Sequence, residues 1–114
     1  MYILLWEYMV AAMDTMEAIA EPARRRILDA LLDGERLVGE LCAELGIAQP
    51  SVSKHLAVLR GAGLVRVRPD AQRRWYSLRP EPLRDLDEWL LPYRRRWADA
   101  LDDLERHLDR QEQT

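Results

Sequence analysis

Between Val38 and Gly63 two apolar stripes at helical spacing follow each other with only a few residues between them, and this pairing constrains the chain more than any other feature. Val38, Leu41, Cys42 and Leu45 fall on one face of a two-turn helix closed by Gly46. Val52, Leu56 and Leu59 then form the stripe of a second helix, which begins near Gln49 and ends at Gly63. A short helix, a turn of about three or four residues and a longer helix make a helix-turn-helix, whose second helix is the one that enters a DNA major groove.

The flanking segments extend this reading. From Glu21, the run EPARRRILDALLDG has Pro22 at a first helical position, Ile27, Leu28, Leu31 and Leu32 at core spacing, and Gly34 as a stop. Arg24, Arg25 and Arg26 are expected to form a solvated or salt-bridged face. After the second helix, LVRVRP alternates, with Leu64, Arg66 and Arg68 on one side of the pleat and Val65 and Val67 on the other. The turn Asp70, Ala71, Gln72 leads to a second extended run, RRWYSL. Two short strands closing on a basic tip form a wing, with Pro69 tolerated at a strand end and at least one of Trp75 and Tyr76 in the core. The expected fold is mostly α with a small β-hairpin wing (α+β), a winged helix-turn-helix occupying residues 15–79.

Beyond Arg79 the pattern is helical again. Leu83, Leu86, Leu90, Tyr93 and Trp97 are spaced 3, 4, 3 and 4, and Leu101, Leu104 and Leu108 continue the stripe. Pro92 is expected to break or kink this element near Leu91. So long a stripe exceeds what one small subunit can cover. Residues 80–114 are therefore expected to form a dimerisation helix, with Leu86, Leu90, Trp97, Leu101, Leu104 and Leu108 packed against the same helix of a second subunit in a homodimer.

A chain of 114 residues supports one domain of modest core, and 48% hydrophobic with 32% charged residues marks it as ordered. Residues 1–14 are an apolar extension, expected to be a helix packed on the body or on a dimer partner. The stretch is too short to span a bilayer and carries neither the basic start of a signal peptide nor the basic face of a membrane-surface helix. The single cysteine, Cys42, allows no intrachain disulfide and points to a reducing cytoplasm.

The overall charge of −3 conceals a partition. Residues 49–79 carry Lys54, Arg60, Arg66, Arg68, Arg73, Arg74 and Arg79 against Asp70 alone, a net +6, whereas the segments before and after carry −5 and −4. A basic block between acidic flanks fits a surface that meets phosphates. An enzyme is not indicated: two histidines, no Ser-His-Asp set, no phosphate loop and no carboxylate pair with a positioned base leave no catalytic constellation.

The segments EPARRRIL, VGEL, QPSVSKHLAVLR, AGLV and RRWYSL, in that order and spacing, resemble the winged-helix domain of the ArsR/SmtB family of bacterial repressors over about residues 15–79. The resemblance implies a homodimer, joined through its first and last helices, that binds a near-palindromic operator on double-stranded DNA. It also implies that Gln49, Ser51, Ser53 and Lys54 read bases and phosphates, with His55 beside them as a contact or a local packing residue, and that Arg73 and Arg74 of the wing tip reach the backbone or minor groove. The chemistry agrees, since Gln pairs bidentately with adenine, Ser serves base edges or phosphate, and Lys suits guanine or phosphate.

Two positions depart from the family pattern, Leu37 and Ala48 standing where a capping Ser is usual. The metal-sensing members use a Cys pair on the helix where this chain has only Cys42, and a lone thiol cannot build a three-thiolate site. On the last helix Asp103 and His107 share a face but lack a second His. No metal or cofactor is therefore assigned, and the effector stays open. The alternatives are a metal- or redox-responsive derepressor using Cys42 or the last helix, and a winged-helix protein-interaction module, against which the +6 block argues.

Overall fold

The computed structural model describes residues 14–112. The expected N-terminal helix therefore falls, in residues 1–13, outside the described residues. Residues 14–20 are helical (α1) and lead through Glu21 into α2, Pro22–Ala30. A 3₁₀ turn, Leu31–Asp33, and a two-residue strand β1, Arg36–Leu37, precede α3, Val38–Leu45. Then follow α4, Gln49–Gly61; the wing strands β2, Val65–Asp70, and β3, Arg73–Leu78; and α5, Glu81–Glu112.

The stripes read from the sequence converge on one core. Ile27 of α2, Leu41 of α3, Val52, Leu56 and Leu59 of α4, and Leu64 and Val65 at the start of the wing are all essentially solvent-free. Both helices of the motif end on a left-handed glycine, Gly46 at φ 66° and Gly63 at φ 75°. That conformation costs a residue with a Cβ about 1–2 kcal/mol, so the glycines release the chain from each helix at the required angle. Leu64, expected on the pleat beside Arg66, instead lies buried just ahead of β2, and its carbonyl accepts from Arg79 N at 2.8 Å.

The sheet has three strands rather than two. Its order is β1-β3-β2, all antiparallel, with Arg36 opposite Tyr76 and Leu37 opposite Trp75. The short β1 ties the wing to the segment entering α3. Tyr76 packs on the core, as does Leu78.

Two expectations are corrected. The run Arg24–Arg26 is neither simply solvated nor salt-bridged. Arg24 Nε donates to the Ala18 carbonyl at 2.7 Å, Arg25 Nη1 to those of Ile19 and Ala20 at 2.7 and 3.1 Å, and Arg26 Nη2 to that of Leu45 at 2.9 Å. These cations satisfy the last carbonyls of α1 and α3, which have no partners within their own helices.

Pro92, in turn, does not break α5, which runs through it for 32 residues. The carbonyl it deprives of a partner is that of Glu88, at an exposed position where water can serve it. At 1.5 Å per residue α5 is about 48 Å long, and none of its residues is buried. Leu83 packs on the core, but Trp97, Leu101, Leu104 and Leu108 are 50–64% exposed.

Candidate nucleic-acid interface

The first two turns of α4 set out the residues that could meet a ligand. Val52, Leu56 and Leu59 are driven inward, so Gln49, Ser51, Ser53 and Lys54 point to solvent and His55 is half-buried between the two faces. The helix starts without a side-chain cap: Ala48 holds the extended cap conformation, φ −64° and ψ 145°, but has no acceptor to offer. Pro50 in the first turn removes one orphan donor and pre-sets the helical φ. Leu37 likewise gives α3 no side-chain cap, although Glu40 Oε1 accepts from Leu37 N at 3.1 Å and serves the same turn in the other direction.

The wing is a two-residue hairpin in which Pro69 faces Arg74 and Asp70 faces Arg73 across the ladder. Ala71 takes φ 55° at the turn, a left-handed position normally filled by Asn, Asp or Gly. This turn leaves Arg73 and Arg74 exposed at the tip.

Between α4 and β3 runs an open groove of about 650 Å³. Its floor is Leu56 and Tyr76, and its rims carry Ser53, Ala57 and Arg60 on one side and Arg74 on the other. The structure thus brings Ser53 and Arg74 together across one groove, with Gln49, Ser51 and Lys54 exposed along the preceding turns and Arg73 beyond the rim at the tip. Arg60 joins the set, although it was not among the residues assigned to DNA contact. Its spacing from Ser53 through Ala57, 4 and then 3 residues, already placed it on the same helix face.

The basic block is not uniformly available. Arg68 donates to both Glu35 oxygens, at 2.6 and 3.3 Å, and its guanidinium lies 5.7 Å from the Trp75 ring centre. The hydrogen bonds from Arg68 to Glu35 raise the guanidinium pKa further. Arg79 pairs with Glu81 at 3.8 Å. Among the described residues, no carboxylate pairs with Lys54, Arg60, Arg66, Arg73 or Arg74, which leaves their charge for an outside anion.

The residues weighed for sensing have other engagements. Cys42 is half-buried and packs on the core, Asp103 holds Arg106 at 2.6 Å, and His107 Nε2 lies 3.4 Å from Gln111. Among the described residues, no helix is long and apolar enough to cross a membrane.

A profile of the family described as "Bacterial regulatory protein, arsR family" matches residues 21–67, from the cap of α2 into β2. The transcriptional repressor SdpR of Bacillus subtilis is 34% identical over 70% of this chain and 89% of its own length. The transcriptional activator HlyU of Vibrio cholerae is 41% identical over 66% of this chain and 69% of its own length. The solved structure of reduced HlyU from Vibrio cholerae superposes with a TM-score of 0.63 at 37% identity, covering 75% of this chain and 90% of that one. The profile match contains all of α4 but stops short of the wing tip.

Proposed function

The chain belongs to the ArsR family of bacterial regulatory proteins, DNA-binding transcriptional regulators and not enzymes, and on that footing we propose that it represses transcription by occupying a near-palindromic operator as a homodimer. The observation that carries the reading is the exposed row Gln49, Ser51, Ser53 and Lys54 on α4, which continues through Ser53 into the groove it shares with Arg60 and Arg74. Gln49 and Ser51 are the base readers. Lys54, Arg60, Arg73 and Arg74 hold phosphates, and His55 borders the surface from its half-buried position. Occupancy of a promoter is enough to repress, whereas activation needs a further contact with the transcription machinery.

The exposed stripe of α5 supports the homodimer, since Trp97, Leu101, Leu104 and Leu108 find no cover on the described part of their own subunit. A single half-buried thiol is consistent with work in a reducing cytoplasm.

Selection of bound sequences from random duplex DNA, followed by footprinting, tests the reading. The expected result is a dyad whose half-sites lie about 34 Å apart, one turn of DNA. Binding is expected to weaken steeply with salt, and the double variant Lys54→Ala, Arg73→Ala to flatten that dependence. An unchanged salt slope, or recovery of no dyad, overturns the proposed surface.

A further inference from the structure

Arg26 differs from the two arginines before it. Arg24 and Arg25 bond to carbonyls five to seven residues upstream, at the end of α1, whereas Arg26 reaches across 19 residues to α3. Its Nη2 donates at 2.9 Å to the carbonyl of Leu45, the last residue of α3. Gly46, Ile47 and Ala48 alone separate that carbonyl from the start of α4. We infer that Arg26 is a positioning residue for DNA recognition, an inference that rests on the regulator reading above. It ties α2 to the turn of the helix-turn-helix and so sets where Gln49, Ser51 and Ser53 stand.

The turn needs such a tie on its α4 side. Ala48 gives α4 no side-chain cap, and Pro50 has no amide to donate. The Gly46 amide donates to the Cys42 carbonyl at 2.9 Å, which closes α3 without reaching α4. Ile47 is only partly buried against the core. The other end of the tie is firm, because the neighbours of Arg26 in α2, Ile27 and Leu28, are 0% and 7% exposed. A guanidinium also suits the end of a helix, where carbonyl dipoles gather.

The surroundings of Arg26 argue against a phosphate contact. It lines an open depression of about 360 Å³ together with Asp29, Asp33 and Glu44. Glu44 is shared with Arg36 at 3.6 Å, and among the described residues no carboxylate pairs with Arg26 itself. The depression therefore carries surplus negative charge and repels a nucleic-acid backbone.

Positioning and phosphate binding leave different marks. Hydrogen bonds to base edges weaken steeply once distance or angle is wrong, whereas attraction between cations and phosphates tolerates small displacements. A loosened turn thus lowers preference for the right sequence before it lowers affinity for DNA as such.

Full-length Arg26→Met, which keeps the stem but has no donor, and Arg26→Lys, which restores one, test the role. Each is titrated against the selected duplex and a scrambled duplex over a range of salt. Arg26→Met is expected to bind the selected duplex about three- to tenfold more weakly, with scrambled-duplex affinity and salt slope unchanged. Arg26→Lys is expected to recover most of that loss. In the absence of DNA, amide exchange over residues 46–53 is expected to speed in Arg26→Met while that of α5 stays as it was.

Equal weakening on both duplexes with a shallower salt slope would make Arg26 a phosphate contact and overturn the inference. So would full selectivity in Arg26→Met, a lysine variant as weak as the methionine one, or faster exchange throughout the chain, the mark of global destabilisation. Wild-type protein that prefers no duplex refutes the regulator reading instead, and the exchange pattern still reports on the tie.

Discussion

Arg68 in the wing grips Glu35 through two hydrogen bonds, the shorter 2.6 Å, across 33 residues of sequence. The pair lies on the surface, where such bridges add little to global stability, so its effect is local: it fastens β2 to the segment that enters α3. Glu35→Gln is expected to speed amide hydrogen exchange in β2 and β3 while leaving α4 unchanged, with the melting temperature scarcely moved. Equal acceleration in both regions would show that the pair has no such local role.

The same pair divides the arginines of the basic block into two kinds. Arg60→Ala is expected to reduce the slope of log affinity against log salt by about one phosphate contact. Arg68→Ala, which removes a cation already neutralised by Glu35, is expected to leave that slope unchanged. Titrations of both variants against duplex DNA over a range of salt check the contrast, and a matching loss for the two would contradict it.

Ala48 opens α4 with the backbone of a cap but not its chemistry. Ala48→Ser adds a hydroxyl able to accept from the Ser51 amide, the next donor once Pro50 has none to give. The expected gain is about 1 kcal/mol, read as a higher denaturant midpoint at unchanged slope. No gain would mean that the end of the helix is already satisfied.

Leu41 is solvent-free and sits where α2, α3 and α4 meet. Leu41→Ala removes buried methyl groups from a site that cannot fully collapse, at an expected cost of about 2–5 kcal/mol. Chemical denaturation measures it. A loss below 1 kcal/mol would show a core looser than the burial indicates.

The helices of the motif and the wing were legible because each apolar stripe there has a clear period and a glycine or proline near its end. Gln49 as the start of α4 and the hairpin around Ala71 follow from that punctuation. Strand β1 was not legible, since two residues carry no period, and Arg36 and Leu37 become a strand only by pairing with Tyr76 and Trp75. The Arg24–Arg26 run resembles a solvated face, and its role appears only when the ends of α1 and α3 arrive beside it. Pro92 shows the limit of a local rule: a proline whose orphaned carbonyl faces water can sit inside a helix that other forces maintain. For the candidate site, the residue types on α4 were readable in the chain. The division of the basic residues into paired and free was not, because Glu35 lies outside the basic block that it modifies.

The groove beside α4 has a floor and rims of different standing. Leu56 and Tyr76 line it from below while belonging to, or packing on, the hydrophobic core. A substitution at either alters folding and the shape of the groove at once. Ser53, Ala57, Arg60 and Arg74 can change without disturbing that foundation. On the proposed reading, drift in operator preference is thereby channelled to the rims, while the spacing between helix and wing is inherited unchanged with the core.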